Sequence, residues 1–162
     1  MAPAMIDYSC WLQQKVTSPL ADQARVMGMI GRRQTKVAIH GYVAFDPLRH
    51  AYFRRGIAEA EFDPLAVAEE ALIEHGYLGV KLYPPMGFKA TGNSNKRTDY
   101  HRHIGQRLGD NIGTELDTSL EALYKLCERL SAPILAHATD SNESGPGYER
   151  RADPHFWRPV FK

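Results

Sequence analysis

The chain has 162 residues, a length that suits one domain, and its 43% hydrophobic and 24% charged residues are typical of a globular protein, which excludes overall disorder. Lys and Arg number 20 and Asp and Glu number 19, so the formal net charge of +1 provides no field toward nucleic acid or an anionic membrane. The sequence shows no membrane-spanning apolar run, no signal peptide and no cysteine framework. We therefore expect one cytoplasmic domain over residues 1–162, with no nucleic-acid or membrane partner.

Four residue pairs that end in proline mark predicted helix starts. An Asp side chain accepts hydrogen bonds from the free backbone N–H groups of a first helical turn, and Pro fits the first helical position because no N–H is needed there. The pairs are Ser18-Pro19, Asp46-Pro47, Asp63-Pro64 and Asp153-Pro154. Gly76 is predicted to end the helix that begins after Asp63.

The strongest helical pattern lies in the second half of the chain. Apolar residues recur on one helical face from Leu116 to Leu130. Thr114 and Asp117 just before and within this stretch resemble a capping box, in which side chains satisfy the first free N–H groups. The pattern therefore predicts a long helix that begins near Thr114.

Four short apolar stretches are predicted strands. They are Ala4–Asp7, Val37–Phe45, Leu78–Tyr83 and Pro133–His137. All but the first follow a helical stretch, and this alternation is typical of βα units around a parallel sheet. A closed (β/α)8 barrel takes about 250 residues, so we predict an α/β fold that is part of such a barrel. Its two bare sheet edges would favour self-association into a homo-oligomer.

Two polar, Gly-rich segments follow the third and fourth predicted strands. The first lies between Pro84 and Thr114 and is predicted to be a long loop without structure, with residues 89–113 among the least ordered of the chain. The second, DSNESGPGYERR, closely follows His137. Both leave the carboxyl ends of strands, which is where α/β folds bind ligands. We therefore expect a small-molecule substrate at this end of the sheet.

His137 and Lys81 are the candidate site residues on the strands. His137 ends an apolar strand, so it is either a metal ligand or a polar residue hydrogen-bonded to a loop. Lys81 lies in a strand covered on both faces, where a lysine is costly unless it is paired or functional. It could bind a substrate carboxylate, pair with a buried acid or act as a carbamylated metal bridge. On adjacent parallel strands, the two Cα atoms should lie within roughly 10 Å of each other.

Other polar and aromatic residues lie near the same predicted strand ends. Tyr83 opens a rigid turn, YPPMGF, which forms either a wall of a substrate pocket or a packing loop, and Ser141 and Asn142 offer polar side chains at the same mouth. His101-x-His103 has the spacing of a metal-binding pair but lies in a basic, polar segment, so we expect it either in an exposed loop or in contact with phosphate or carboxylate groups. The remaining histidines are expected to be structural or exposed: His40, His50, His75 and His155.

Three segments, taken in order, resemble the amidohydrolase superfamily: GVKLYPPMGF, LDTSLEALYKLCERLSAPILAHATDSN and GYERRADPHFWRPV. The likeness is strongest to the amidohydrolase-related group that also holds decarboxylases of the aminocarboxymuconate-semialdehyde type. It implies a metal-dependent (β/α)8 barrel with one or two divalent metal ions, often zinc. It also implies that Lys81 lies on barrel strand 4 and that His137 is the strand-5 metal ligand.

The sequence also departs from that family's pattern. It contains no strand-1 His-x-His, no strand-6 His and no strand-8 Asp, so residues 1–162 would correspond to about strands 2–5. We therefore expect a fragment of a metal-dependent hydrolase of C–N or ester bonds, inactive alone, in which Lys81 would act in catalysis. The alternatives are a decarboxylase of the same superfamily and a non-catalytic remnant or interaction module.

Overall fold

The structure is a computed structural model that describes residues 1–33, 36–95, 100–139, 141 and 148–161. Its helices are α1 (Ser9–Leu12), α2 (Leu20–Arg32), α3 (Pro47–Arg54), α4 (Pro64–Glu74), α5 (Arg102–Leu108) and α6 (Ile112–Leu130). Its strands are β1 (Tyr42–Ala44), β2 (Gly79–Leu82) and β3 (Ile134–Ala136). Short 3₁₀ turns cover Ala58–Ala60, Pro84–Met86, Asn93–Asn95, Gly109–Asn111, Glu149–Ala152 and Pro154–Trp157.

The three strands form a parallel sheet in the order β1-β2-β3, so the predicted α/β class is confirmed. Val43, Val80 and Ile134 lie at paired register positions, and the first two are fully buried. The opposite face opens from β1 to β3: Ala44 is buried, Lys81 is half-buried and Leu135 is 40% exposed. The sheet therefore has one well-covered face and one face that becomes accessible toward β3.

The predicted strand over Ala4–Asp7 is wrong in its extent. A single parallel bridge joins Ala4 to Tyr42, with hydrogen bonds from Met5 N to Tyr42 O at 2.9 Å and from Tyr42 N to Pro3 O at 2.8 Å. The segment leaves β1 beyond that point, and the Asp7 carboxylate instead pairs with Arg49 on α3. The other three strands lie within the predicted stretches but are shorter, at Tyr42–Ala44, Gly79–Leu82 and Ile134–Ala136.

α-Helices start at three of the four proline-marked pairs, but no side chain caps α2, which begins at Leu20 after Ser18-Pro19. The Asp46 side chain accepts hydrogen bonds from Leu48 N and Arg49 N at the start of α3, and Asp63 accepts one from Leu65 N at the start of α4. Gly76, with φ of 70°, follows the end of α4 as predicted, because glycine adopts this conformation without a Cβ clash. Asp153 begins a 3₁₀ turn rather than an α-helix.

The predicted capping box at α6 is wrong. The helix begins at Ile112, and no side chain caps it. The Asp117 carboxylate instead accepts hydrogen bonds from the backbone N–H groups of Asn93 and Ser94, both at 3.0 Å, and from Asn93 Nδ2 at 2.8 Å. Asp117 therefore anchors the Asn93–Asn95 turn to α6, a tertiary role that its spacing from Thr114 does not indicate.

The prediction that the segment between Pro84 and Thr114 lacks structure is also wrong. It contains α5 and three 3₁₀ turns, and Phe88, Ala90, Ile104 and Leu108 are buried. Ile104 and Leu108 are four residues apart and therefore share one helical face, which packs into the core. Residues 96–99 lie outside the described part of the chain.

The helices pack on one another around the sheet, mainly α3 against α6 and α2 against α4. Leu48, Leu116, Leu120 and Leu123 contribute fully or almost fully buried side chains to this core. Among the helices described here, none combines the length and the apolar character needed to cross a bilayer.

Candidate functional site

Three residues occupy equivalent positions just beyond the carboxyl ends of the strands. The ladder continues past its last named residues, with hydrogen bonds from Phe45 N to Lys81 O at 3.1 Å and from His137 N to Leu82 O at 3.0 Å. Extending the register by two residues from Ala44, Lys81 and Leu135 therefore aligns Asp46, Tyr83 and His137. This row forms the carboxyl edge of the sheet.

Tyr83 and His137 are brought into contact at this edge, and both are half-buried. Their ring centroids lie 4.8 Å apart with an interplanar angle of 50°. The Tyr83 hydroxyl hydrogen-bonds the Ser141 hydroxyl, which joins this edge to the segment after β3. His137 Nε2 hydrogen-bonds Thr139 Oγ1 at 3.1 Å. The aromatic wall proposed for Tyr83 therefore lies directly against the candidate metal ligand.

Lys81 lies on the same sheet face as Tyr83 and His137. Its register partner on β3 is Leu135, two residues before His137. With strands about 4.8 Å apart and a rise of about 3.3 Å per residue, the Lys81 and His137 Cα atoms are about 8 Å apart. Burial lowers the pKa of the Lys81 ammonium, because the charged form loses hydration. Within the described residues no carboxylate forms an ion pair with it.

Asn142, the second predicted substrate-binding residue, lies outside the described residues. Its neighbour Ser141 is described and contacts Tyr83, as stated above. The structure therefore brings together Lys81, Tyr83 and His137 from the predicted set.

The expectation of an exposed loop at His101-x-His103 is wrong. His101 precedes the first residue of α5, and both imidazoles are half-buried and stacked, with ring centroids 5.7 Å apart. His103 Nε2 donates to Cys10 O at 3.2 Å, and the Tyr148 ring lies 5.5 Å from the His101 ring. Burial, with His103 and Arg151 nearby, lowers the pKa of His101. The pair joins α5 to α1 and to the Tyr148 segment.

A buried polar cluster that sequence reasoning missed includes Asp46 of this row together with Asp7, Ser9, Trp11 and Arg49. The Arg49 guanidinium donates to both Asp7 carboxylate oxygens, at 2.6 and 3.2 Å, to Ser9 Oγ and to Ala60 O at 2.5 Å. Asp46 accepts a hydrogen bond from Trp11 Nε1 at 2.8 Å. Burial, followed by the nearby Asp7 carboxylate, raises the pKa of Asp46 to about 7.

The sequence contained one signal for this cluster, namely Asp46 as a helix cap. The cap was predicted, but the burial of its carboxylate was not, because that burial depends on Trp11 from α1 and Asp7 from the N-terminal segment. These contacts span 35 and 42 residues of sequence in the Trp11–Asp46 and Asp7–Arg49 pairs.

A zinc centre at the carboxyl edge would require several side chains that can act as metal ligands. A catalytic zinc ion takes three protein ligands in addition to water or substrate. In the described part of the chain, no group of three or more His, Cys, Asp and Glu side chains converges in this way. His137 fits the role of one imidazole ligand, but the described residues do not complete a centre around it.

Comparisons with known proteins give no family assignment. No protein-family model, no curated protein and no solved structure matches this chain. Membership of the amidohydrolase superfamily is therefore a proposal, which the geometry of Lys81, Tyr83 and His137 supports.

Proposed function

We propose that this chain forms part of the catalytic barrel of an amidohydrolase-type enzyme that hydrolyses C–N or ester bonds with a metal-activated water. The observation that carries the proposal is the placement of His137 and Tyr83 in contact at the carboxyl edge of a parallel sheet, with Lys81 on the same face. Barrel enzymes place their catalytic groups at this edge. The chain-order arrangement β1-β2-β3, with helices between the strands, also supports the barrel.

In this proposal each residue has a distinct role. His137 presents a neutral imidazole as one ligand of a divalent metal ion, with zinc the ion that we propose. Tyr83 packs on that imidazole and limits its rotation, while its hydroxyl holds Ser141. Lys81 places a cation on the same face, about 8 Å away along the strands, to neutralise negative charge on the substrate. The remaining metal ligands would come from outside the described residues.

Lys81 favours decarboxylation as the second candidate function. A half-buried ammonium group without an ion-pair partner among the described residues is costly, and a substrate carboxylate would offset that cost. The same superfamily resemblance includes decarboxylases. Hydrolysis remains our first proposal, with Lys81 neutralising negative charge on a substrate whose C–N or ester bond is cleaved.

A paramagnetic titration tests the metal-ligand role of His137. We expect Co²⁺ added to the isotopically labelled chain to broaden the amide resonances of Tyr83, His137 and Thr139 more than other resonances in the spectrum. The reason is that an ion on the His137 imidazole lies within a few ångströms of the Tyr83 ring and the Thr139 hydroxyl. The measurement is the broadening of each amide cross-peak in two-dimensional NMR spectra.

Two histidine variants provide the controls for this titration. His137→Ala should remove the broadening at Tyr83, whereas His155→Ala should leave it, because His155 is exposed and pairs with Asp153 in another segment. Broadening at Tyr83 that persists in His137→Ala would contradict the ligand assignment and with it the proposed function.

Ester hydrolysis by the chain alone is expected to stay at the background rate. A zinc ion lowers the pKa of its bound water effectively when several protein ligands hold it in a shaped cavity, and among the described residues no group of three potential ligands converges. The measurement is p-nitrophenyl acetate cleavage with one equivalent of zinc. A rate above the zinc-only background that falls in His137→Ala would contradict this expectation and show that the chain completes its own site.

A further inference from the structure

A separate pocket of about 310 Å³ lies between α1, α3, α5 and the Ala58–Ala60 turn. Its volume falls in the range of small-molecule sites. Six of its lining residues matter here: Cys10, Lys15, Arg49, Tyr52, Glu61 and Arg107. Neither Lys81 nor His137 lines it, so it is distinct from the candidate site described above.

Tyr52 is a lining residue with an unsatisfied polar atom. Its side chain is 2% exposed, and among the described residues its hydroxyl has no hydrogen-bond partner. Besides burial, the groups that influence the pKa of the hydroxyl include Cys10, Arg107 and Glu59, which all line the pocket. Burial raises that pKa, so the hydroxyl stays neutral and can donate. Buried hydroxyls are normally paired, and a ligand in the pocket would supply the missing acceptor.

The charges around the pocket define the ligand. The two arginines are already engaged, since Arg49 pairs with Asp7 and Arg107 donates to Glu59. Lys15 and Glu61 are both exposed, and in the described residues neither forms an ion pair. Among the described residues that line the pocket, Lys15 is thus a cation and Glu61 an anion without an ion-pair partner. A ligand with a single charge would satisfy one of them and oppose the other.

We propose that this pocket binds a small zwitterion of the amino-acid class. Its carboxylate would face Lys15, its ammonium group would face Glu61, and an oxygen of the ligand would accept the hydrogen bond of the Tyr52 hydroxyl. The side chain of the amino acid would occupy the apolar part of the pocket, formed by Val16 and the Tyr52 ring.

Three probes with the same aromatic body test the charge requirement. L-Phenylalanine carries both charges, 3-phenylpropionate carries the carboxylate alone, and phenethylamine carries the ammonium alone. We expect phenylalanine at millimolar concentration to cause saturable NMR shift changes around Tyr52. The affinity for 3-phenylpropionate and for phenethylamine should be at least about threefold weaker, because each lacks one of two exposed charge pairs and such pairs contribute modestly. Equal affinity for all three probes, or no saturable change with phenylalanine, would overturn the proposal.

Variants of the lining residues test whether phenylalanine binds in this pocket. Tyr52→Phe should weaken phenylalanine binding by about fivefold to tenfold, because it removes one hydrogen bond. Lys15→Met should abolish the preference for phenylalanine over phenethylamine, which lacks the carboxylate. Glu61→Gln should abolish the preference for phenylalanine over 3-phenylpropionate, which lacks the ammonium group. Two matched controls lie on α6, Tyr124→Phe and Lys125→Met, and neither residue lines the pocket. Unchanged binding in Tyr52→Phe, or an equal loss in Tyr124→Phe, would contradict the site.

A stability measurement separates binding from folding. Because the Tyr52 hydroxyl has no partner in the described residues, Tyr52→Phe should have the same or a higher Tm without ligand. A lower Tm would show that the hydroxyl supports the fold, which would overturn its assignment to a ligand. These outcomes do not depend on His137, so this proposal and the proposed hydrolase can fail separately.

Discussion

Replacement of Arg49 by methionine is expected to lower the free energy of unfolding by about 3–5 kcal/mol. The Arg49 and Asp7 side chains are 3% and 6% exposed, and the guanidinium also donates to Ser9 and Ala60 and lies 4.3 Å from the centre of the Phe62 ring. Methionine preserves part of the packing but leaves the Asp7 carboxylate buried without its cation. Urea unfolding followed by circular dichroism would measure the change.

Two further variants test this explanation. Arg25→Met removes a cation from the exposed Arg25–Asp22 pair and should cost no more than about 1 kcal/mol. Adding Asp7→Asn to Arg49→Met should recover part of the lost stability, because it removes the unpaired buried charge. A loss for Arg49→Met as small as that for Arg25→Met would show that the buried pair does not hold the N-terminal segment against α3.

The stability of the protein is expected to fall as the pH rises from about 4 to about 7, through the contribution of Asp46. Its pKa is raised from 3.8 to about 7 in the folded state, so the folded protein binds this proton more tightly than the unfolded chain does. The contribution is therefore fully present below pH 3.8 and is lost as the pH passes through about 7. A shift of this size corresponds to roughly 4 kcal/mol.

Asp46→Asn isolates this contribution. Asparagine can still cap α3 and accept the Trp11 Nε1 hydrogen bond, but it does not titrate. The difference in unfolding free energy between the variant and the parent should therefore change with pH across this window, in favour of the variant above pH 7. Asp63→Asn, at the cap of α4, is the matched control and should show no such crossover. A pH-independent difference for Asp46→Asn would contradict the raised pKa.

The Asp7–Arg49 ion pair and the buried Asp46 carboxylate lie in the same part of the molecule. Asp7 belongs to the N-terminal segment, Trp11 to α1, and Asp46 and Arg49 to the start of α3. Arg49 also lines the pocket proposed to bind a zwitterion. Loss of the ion pair or of the Asp46 carboxylate is therefore expected to affect how α1 packs against α3. Ligand binding should be measured in these variants only under conditions where they remain folded.

Local sequence signals predicted the elements whose formation depends on neighbouring residues. The Asp-Pro pairs predicted the starts of α3 and α4, because a carboxylate cap and a proline act within one helical turn. The alternation of helices and strands predicted a parallel sheet, which the order β1-β2-β3 confirms. The same alternation placed Lys81 and His137 on neighbouring strands, and the pairing of β2 with β3 confirms that adjacency.

Long-range contacts decided the features that the sequence by itself did not reveal. Asp117 is free to anchor the Asn93–Asn95 turn because α6 begins earlier than Thr114, and Ile104 and Leu108 are buried because α5 packs against the core. The polar residues around these positions concealed both the Asp117 anchor and the burial of α5 in the sequence. Likewise, the Tyr52 hydroxyl, which has no hydrogen-bond partner among the described residues, lines a pocket between α1, α3 and α5, and the Asp46 carboxylate is buried where Trp11 of α1 meets the start of α3.

Sequence alone thus determined the α/β class, the parallel arrangement and the residues at the strand ends, since these follow from local helix and strand patterns and from the order of those patterns along the chain. The tertiary structure decided which side chains are buried, which charges are paired and where a cavity remains. Those properties depend on groups separated by tens of residues in the chain, whose free energies of burial and pairing are settled only when the helices pack together.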